Sequence, residues 1–382
     1  MEAVEAEFAR NFSERGEVGA SVSIWRHGQE IVSLHRGART KEEVDTWNAD
    51  TLVPVWSATK GPAALVFLLV LHEAELTLDA PVQRVWPEMR TGMTFAQMLS
   101  HQGGLAALDE KPSAFEHRAV ARALALQSPW WEPGTAHGYH PRTFGFLLEE
   151  CARRLTGGKG IGAVLRERIT GPIDADFWIG LPVSEHHRVA RIYPGRMKDS
   201  SGGEDAAFFE AFATAGSLTR RAFASPSGLH AVAEMNQRGA WTAALPAIGG
   251  VGSARGLGRI YALLAGGGIW NGRTLVPPVV MEQLTTRLVN GMDRVLLMPT
   301  AFSAGCMMDP AGADGGKLRK HFGRSEKAFG HPGAGGSHAF ADPERGIAFA
   351  YVMNQMELGV MPNEKSLRMV AALDEAVGFD FA

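Results

Sequence analysis

Strand patterns lie at the two ends of this chain and are sparse between them, which restricts its fold more than any other feature. Residues 21 to 24 alternate polar with apolar side chains, and a turn at 27 and 28 leads into an apolar stretch at 31 to 34. Residues 337 to 341 and 347 to 353 flank a second turn that contains Pro and Gly. Alternation with a period of two predicts strands, and short turns of this kind join antiparallel neighbours. The two ends therefore predict two hairpins.

Helical patterns occupy much of the remaining sequence. Residues 2 to 15 form an amphipathic pattern, and Asn363 is a predicted N-cap for a helix near the far end. Strand signals are sparse between 78 and 289, where several segments have helical spacing. The polar, Gly-rich stretches at 198–204 and 312–317 are expected to form exposed loops.

These patterns predict an α+β fold in a single domain, residues 1–382. An antiparallel sheet is built from both termini and flanked by helices, and an all-helical lobe is inserted between them. The α/β lobe takes in about 1–78 and 290–382, and the helical lobe about 79–289. The groove between the lobes is the expected site.

Composition narrows the function classes. The net charge is −3, and 45% of the 382 residues are hydrophobic, which argues against nucleic acid or an acidic membrane surface as partner and favours a small molecule. Only Cys151 and Cys306 are present, far apart, so neither a disulfide framework nor a metal site is expected. Residues 1–5 lack a leader pattern, and the apolar run at 63–71 is too short to span a bilayer. We expect a cytoplasmic protein that uses no cofactor.

The chain's only Ser-x-x-Lys sequence lies at residues 57–60, where an extended segment gives way to a long apolar helix. Positions three apart share a helix face, so the Lys60 amine can reach the Ser57 hydroxyl. An amine whose proton affinity is lowered by burial can take the serine proton and create a nucleophile. Serine is also a common helix N-cap, so this spacing alone is a weak signal.

A second candidate residue is Tyr139, which follows a Trp-Glu-Pro-Gly stretch that begins at Trp131. The sequence suggests a Lys60–Tyr139 pair that shares one proton near neutral pH, because a nearby ammonium favours the phenolate. The alternative is an aromatic side chain that packs a loop onto the core. His137 and His140 flank Tyr139, and we assign them no role.

The third segment, residues 330–337, is Gly-rich and directly precedes a strand of the second hairpin. Glycine allows close backbone approach, so a substrate carbonyl could lie at this strand edge. The N–H groups of Ala334 and Ser57 would then form an oxyanion hole. By itself the segment is equally consistent with a Gly-rich turn.

Together these segments resemble the penicillin-recognising serine hydrolases, specifically the class C β-lactamase-like branch that includes family VIII carboxylesterases and D-aminopeptidases. Residues 57–60 match the family's Ser-x-x-Lys, Tyr139 matches its Tyr motif, and residues 331–333 match its His-x-Gly variant of the third motif. Residues 76–82 and 98–105 are also similar to this family. The motifs occur in the family's order and cover most of the chain.

The resemblance implies that Ser57 attacks an ester or amide carbonyl and that Lys60 and Tyr139 relay protons. Lys60 is assigned the priming of Ser57, and Tyr139 the protonation of the leaving group and the activation of water. His331, Gly333 and Trp131 are candidate substrate-binding residues. Trp56, Trp130 and Trp131 are expected either to wall an apolar acyl pocket or simply to pack in the core.

Two departures from the family pattern favour esters. Pro141 stands where the family's Tyr motif usually has an asparagine that holds the amide of its substrates, and His331 stands in place of a lysine that attracts a carboxylate. We therefore expect a serine esterase acting on small carboxylic esters. The alternatives are a D-amino-acid amidase, peptidase or β-lactamase on the same residues, an acyltransferase, and a non-catalytic scaffold.

Overall fold

The computed structural model describes residues 1–42, 45–195 and 205–378. The loop expected at 198–204 lies outside these residues. Among the described helices none has both the length and the apolar character needed to cross a membrane.

The main sheet has eight antiparallel strands. The strands of all the sheets, in chain order, are β1 (Gly19–Arg26), β2 (Gln29–Gly37), β3 (Val53–Pro54), β4 (Phe177–Ile179), β5 (Gly250–Gly252), β6 (Ile269–Trp270), β7 (Arg273–Thr274), β8 (Val289–Met292), β9 (Pro299–Phe302), β10 (Met307–Met308), β11 (Phe329–Pro332), β12 (His338–Asp342) and β13 (Ile347–Met353). The main sheet has the order β2-β1-β13-β12-β11-β10-β9-β8, and two smaller sheets have the orders β3-β5-β4 and β6-β7.

The helices surround these sheets. They are α1 (Glu2–Ser13), α2 (Lys60–Glu73), α3 (Phe95–Leu99), α4 (His117–Leu126), α5 (Thr143–Leu155), α6 (Ile161–Leu165), α7 (Ala206–Ala213), α8 (Leu218–Ala224), α9 (Val232–Met235), α10 (Arg238–Thr242), α11 (Ala254–Ala265), α12 (Pro278–Thr285) and α13 (Glu364–Val377). Short 3₁₀ turns occur at Ser57–Thr59, Val82–Arg84 and Val183–Arg188, and a π-helical turn at Arg166–Thr170.

Both predicted hairpins are confirmed, and they meet in one sheet. Strands β1 and β2 form the first hairpin, and β12 and β13 form the second. The two are joined because β1 pairs with β13 in antiparallel register, with Ala20 opposite Met353. The sheet is thus assembled from segments more than 300 residues apart. The predicted cap also forms, since the Asn363 side chain accepts a hydrogen bond from the Lys365 N–H at the start of α13.

Helix α11 lies within the range assigned to the helical lobe but packs against the main sheet. It contacts β1, β12 and β13. Its apolar side chains are spaced for one buried face, and helical periodicity by itself does not say which layer covers that face. This part of the 79–289 range therefore packs on the sheet, and the boundaries of the two lobes stay a prediction.

Helix α2 forms the centre of the molecule. Every residue from Lys60 to Leu71 is buried, and the helix contacts α5, α6, α12 and β11. A helix that is apolar on all sides gains free energy only when other elements surround it completely. The apolar sequence beyond Lys60 thus places the first turn of α2 at the junction between the sheet and the surrounding helices.

We expect Leu68→Ala to lower the free energy of unfolding by about 2–5 kcal/mol, because Leu68 is fully buried in α2 and its truncation leaves a cavity. Leu318→Ala is the matched control, since Leu318 is 55% exposed and its truncation should change stability by less than about 0.5 kcal/mol. Denaturant unfolding measures both. Equal losses in the two variants would contradict the central position of α2.

Candidate active site

Ser57 is held at the end of a short strand. Strand β3 pairs with β5, and the Val55 N–H continues this pairing by donating to the Gly250 carbonyl at 2.9 Å. Trp56 then has a positive φ of 50° with a ψ of −130°. This sparsely populated backbone conformation costs roughly 1–3 kcal/mol for a residue with a Cβ. The sharp bend at Trp56 turns the chain from the strand into the 3₁₀ turn that begins with Ser57.

The Lys60 amine lies against Ser57. Its Nζ is 3.1 Å from Ser57 Oγ, and it donates to the carbonyl oxygens of Pro141 at 2.7 Å and Ala247 at 3.0 Å. The Lys60 side chain is fully buried. Three different segments of the chain thus fix the position of one amine.

The protonation of Lys60 is set by its surroundings. Burial lowers the pKa of Lys60 well below its usual value, and the positive charge of Arg142 lowers it further. Both causes act in the same direction, because burial and a like charge each disfavour the ammonium form. A lysine with a lowered pKa can accept a proton from Ser57.

Tyr139 joins the same group. Lys60 Nζ lies 4.9 Å from the centre of the Tyr139 ring, and a side-chain hydrogen bond links Tyr139 to Ser57. The Tyr139 ring stacks on Phe302 with 6.2 Å between centroids, and His101 and His331 pack beside it. The structure therefore brings together all three residues that the sequence predicted for catalysis.

The titration expected for Tyr139 was wrong in direction. Burial raises the pKa of Tyr139 well above its usual value, and its hydrogen bond with Ser57 opposes that rise only in part. The expectation assumed a charged lysine next to the phenol, but burial also disfavours the ammonium. Both pKa shifts favour the uncharged forms, a neutral amine and a neutral phenol, with the shared proton on Tyr139.

Asp293 supports Tyr139, and sequence reasoning missed it. Both oxygens of its fully buried carboxylate accept from the Tyr139 N–H at 3.0 Å. The same carboxylate accepts from the N–H groups of Val295 and Leu296 at 2.8 Å and from the Thr300 hydroxyl at 3.1 Å. A lone aspartate in a loop carries no motif, so only the folded backbone reveals this contact.

The Gly-rich segment packs directly on the chain that leads into Ser57. A Cβ at Gly333 would lie 2.1 Å from the Val55 carbonyl oxygen, so this approach requires glycine. Ala334, the next residue, lines the same cavity as Ser57. Neither the Ser57 N–H nor the Ala334 N–H donates to another of the described residues. Two backbone donors are thus free at one cavity, as an oxyanion hole requires.

The cavity beside Ser57 has a volume of about 580 Å³. We call it the active-site cavity, and Trp56, Pro141, Arg142 and Ala334 line it together with Ser57. This volume is within the usual range for small-molecule sites, about 300–1,000 Å³.

Only some of the residues predicted to contact substrate line the active-site cavity. Trp56 lines the active-site cavity, whereas Trp131, Gly333 and His331 are not among the described residues that line it. The Trp131 Nε1–H donates to the Gln102 carbonyl at 3.2 Å, and its side chain is buried. Substrate contacts by Trp131, Gly333 and His331 stay predictions.

His331 is uncharged at neutral pH. Burial lowers the pKa of His331 to about 3, and Lys60 contributes in the same direction. Its Nδ1–H donates to the Pro332 carbonyl at 2.7 Å, and its ring lies 5.8 Å from the Tyr139 ring. His331 therefore packs against Tyr139 and supplies no positive charge for an anionic substrate.

Arg142 is a second residue that the sequence did not reveal. Its guanidinium donates to the Leu229 carbonyl at 3.2 Å and to the Phe223 carbonyl at 3.4 Å, and it lies 2.7 Å from His230 Nδ1. Burial lowers the pKa of Arg142 to about 10, so it stays charged at neutral pH. It thus fixes one wall of the active-site cavity and lowers the pKa of Lys60.

Among the described residues no group of three or more His, Cys, Asp or Glu side chains is placed to hold a metal ion. Cys151 and Cys306 are free and buried. The expectation of a site without metal or cofactor stays a prediction.

This combination, a serine at a helix start, a buried lysine three residues later and a tyrosine from another segment, defines a serine hydrolase site. Comparison with known proteins agrees with that class. The beta-lactamase family matches residues 6–373. The chain is 29% identical to the esterase/beta-lactamase LipL of Mycobacterium tuberculosis, over 91% of this chain and 80% of that protein.

Solved structures are also similar over nearly the whole chain. A family VIII carboxylesterase has a TM-score of 0.86 and 32% identity, covering 97% of this chain and 96% of that one. A penicillin-binding protein homologue from Caulobacter crescentus has a TM-score of 0.85 and 33% identity, covering 99% and 97%. The chain belongs to the beta-lactamase family. The predicted α+β fold, the resemblance and the serine hydrolase class are thereby confirmed.

We expect Arg142→Gln to move the acidic limb of the pH profile of kcat/KM to higher pH, by about one unit. With Lys60 as the predicted base, its neutral amine is the active form, and activity is lost as pH falls through its pKa. Removing the positive charge raises that pKa, so the loss begins at higher pH. Initial rates between pH 4 and 10 measure the shift.

The control is Arg153→Gln, since Arg153 lies on α5 with its side chain 43% exposed. The acidic limb of the pH profile of kcat/KM for Arg153→Gln should lie at the same pH as that of the wild type. A thermal melt establishes that both variants fold. An unmoved limb in folded Arg142→Gln would contradict the electrostatic coupling.

Proposed function

We propose that this serine hydrolase cleaves small carboxylic esters through an acyl-enzyme on Ser57. The observation that carries the proposal is the 3.1 Å contact between Ser57 and the buried amine of Lys60, whose pKa is lowered. A serine hydroxyl in water is a weak nucleophile, and a neutral amine at hydrogen-bonding distance is the base that it needs.

The amine geometry suits proton acceptance. A neutral amine has two N–H groups and one lone pair, and Lys60 directs N–H groups at the carbonyls of Pro141 and Ala247. Its lone pair then faces Ser57, whose O–H donates to it. As Ser57 Oγ attacks the ester carbonyl carbon, its proton passes to Lys60, which becomes an ammonium. The positive charge forms while negative charge develops on the substrate.

The developing oxyanion has two donors. The free N–H groups of Ser57 and Ala334 belong to residues that line one cavity, and the first of them lies at a helix start, where unpaired N–H groups favour negative charge. Removing one such donor typically costs about 3 kcal/mol of transition-state stabilisation. Their role is to hold the carbonyl oxygen when it becomes an anion.

Tyr139 is the acid for the leaving group. Its raised pKa keeps the phenol protonated at neutral pH, so it has a proton to give. When the tetrahedral intermediate collapses, the bond from the carbonyl carbon to the alcohol oxygen breaks, and that oxygen takes the Tyr139 proton. The Lys60 ammonium then returns a proton to the phenolate. The alcohol leaves, and Ser57 carries the acyl group.

Water then hydrolyses the acyl-enzyme with the help of the same two residues, Lys60 and Tyr139. The Lys60–Tyr139 pair removes a proton from water as its oxygen attacks the acyl carbon, and the pair returns a proton to Ser57 Oγ when the carboxylic acid leaves. Each proton taken up in acylation or deacylation is therefore given back. The enzyme ends as it began.

Ester cleavage is favoured over amide cleavage by the position after Tyr139 and His140. Pro141 lines the active-site cavity and offers only its carbonyl, which already accepts from Lys60. No side-chain amide is present there to hold a substrate amide. Relatives whose names describe esterases agree with this choice, including a family VIII carboxylesterase and the esterase EstB of Burkholderia gladioli, the latter 30% identical over 32% of this chain. The cytoplasmic location stays a prediction.

Ser57→Ala should lower ester turnover at least a thousandfold, because it removes the atom that bonds to the acyl group. A serine-directed fluorophosphonate should label the wild-type protein at Ser57 and leave Ser57→Ala unlabelled. Intact-mass spectrometry measures the label, and thermal melts show that both proteins fold. Equal labelling of the two proteins would overturn the proposal, and an unlabelled wild type would favour a non-catalytic scaffold.

Turnover of p-nitrophenyl acetate should exceed that of nitrocefin and of a D-alanine anilide. The physical reason is the missing amide contact at Pro141. Spectrophotometric kcat/KM values for the three substrates, each repeated with Ser57→Ala, make the comparison. Faster turnover of the anilide or of nitrocefin would reverse the ranking in favour of an amidase or a β-lactamase.

A further inference from the structure

Four phenylalanines form one wall of the active-site cavity. Phe208, Phe209 and Phe212 lie on α7, and Phe223 lies on α8. We call this group the phenylalanine wall. Ser57 and Ala334 line the same cavity, so an ester bound to Ser57 has an aromatic surface beside it in that cavity.

The rings of the phenylalanine wall pack on one another. Phe208 is buried at its centre, with ring centroids 5.3 Å from Phe209, 5.8 Å from Phe212 and 5.6 Å from Phe223. Phe212 and Phe223 are also 5.6 Å apart, edge to face. These are favourable aromatic geometries, so the four rings form a single preformed surface.

Core packing does not account for Phe212. Its side chain is 44% exposed although it borders the cavity, whereas the apolar face of an ordinary surface helix is covered by its own core. An apolar patch that stays open at the edge of a cavity is typical of ligand-binding sites. The exposed part of Phe212 is therefore surface that a ligand can cover.

The charged groups around the phenylalanine wall have partners in the fold. Arg142 donates to the carbonyls of Phe223 and Leu229, and Arg220 donates to the Ala213 carbonyl at 2.8 Å. Glu357 also lines the cavity and is half-buried. The wall thus offers hydrocarbon contact and is poorly suited to a polar or charged acyl group.

We infer that the phenylalanine wall binds the acyl part of the ester, and that the preferred substrates carry an uncharged acyl group larger than acetyl, such as hexanoyl or phenylacetyl. This inference rests on the proposed esterase function and names its substrate class. An acetyl group reaches little beyond Ser57 and would leave most of the 580 Å³ cavity unfilled. Each methylene that the wall buries should raise kcat/KM by about fourfold.

The acyl part is assigned to this wall because the alcohol part of the ester must lie near Tyr139. The departing oxygen must reach the Tyr139 hydroxyl, and Tyr139 is not among the described residues that line the cavity. It lies instead against His101, His331 and Phe302. The two halves of the ester extend in different directions from Ser57, so the half that enters the cavity is the acyl half.

The experiment compares two substrate series on the full-length enzyme. The first varies the acyl group of p-nitrophenyl esters from acetate to butyrate, hexanoate and phenylacetate. The second keeps acetate and varies the alcohol from methyl to hexyl and benzyl. For the wild type we expect kcat/KM for p-nitrophenyl hexanoate to exceed that for the acetate at least tenfold, with a much smaller rise across the alcohol series.

Phe212→Ala and Phe223→Ala should each lower the hexanoate-to-acetate ratio of kcat/KM by about fivefold to tenfold, because they remove aromatic surface that the acyl chain covers. The ratio is independent of the amount of folded enzyme. Phe115→Ala is the matched control, since Phe115 is 53% exposed and does not line the cavity, and its ratio should equal that of the wild type.

The outcomes distinguish a failure of the acyl-binding role of the phenylalanine wall from a failure of the proposed esterase function. An unchanged ratio in folded Phe212→Ala and Phe223→Ala would overturn the inference, and so would an effect confined to the alcohol series. In either case fluorophosphonate labelling of Ser57 and acetate turnover would still support the esterase function. If the wild type is neither labelled nor active on any ester of either series, the proposed function itself fails.

Discussion

The burial of the Lys60 amine is the constraint on which the remaining parts of this site depend. In water a lysine side chain is unprotonated in only roughly one molecule in a few thousand at pH 7, which is too few for an effective base. Surrounding the amine with protein, and placing the charge of Arg142 nearby, lowers its pKa and makes the neutral form available. The carbonyls of Pro141 and Ala247 then orient the amine towards Ser57. A base of this kind cannot exist on an exposed helix.

This requirement explains much of the architecture. Helix α2 is apolar on every side, so it lies at the centre of the molecule, and its first turn places Lys60 where other segments converge. The main sheet joins both ends of the chain and brings the segment that contains Gly333 against Val55. Asp293 holds the backbone of Tyr139 from a third direction. Each group of the proposed catalytic site is thus positioned by elements distant from it in sequence.

Several features were accessible from the sequence for identifiable reasons. The two hairpins have period-two patterns, the cap at Asn363 is a local hydrogen bond, and the spacing of Ser57 and Lys60 requires only one helical turn. All three are short-range properties. The titration of Tyr139 was misjudged because it depends on how completely two distant side chains are buried together. The packing of α11 on the main sheet was not predicted, because a periodic pattern does not identify the surface that a helix packs on.

The sequence by itself determined the two terminal hairpins, the serine–lysine pair and, through the order of three motifs, the family of hydrolases. Only the tertiary structure decided which groups surround the amine, which side chains support Tyr139, and that phenylalanines from α7 and α8 line the cavity together with Trp56. The physical reason is the range of the interactions. Hydrogen bonds along one helix or hairpin are encoded locally, whereas desolvation, charge coupling and cavity shape arise when segments far apart in the chain enclose the same volume.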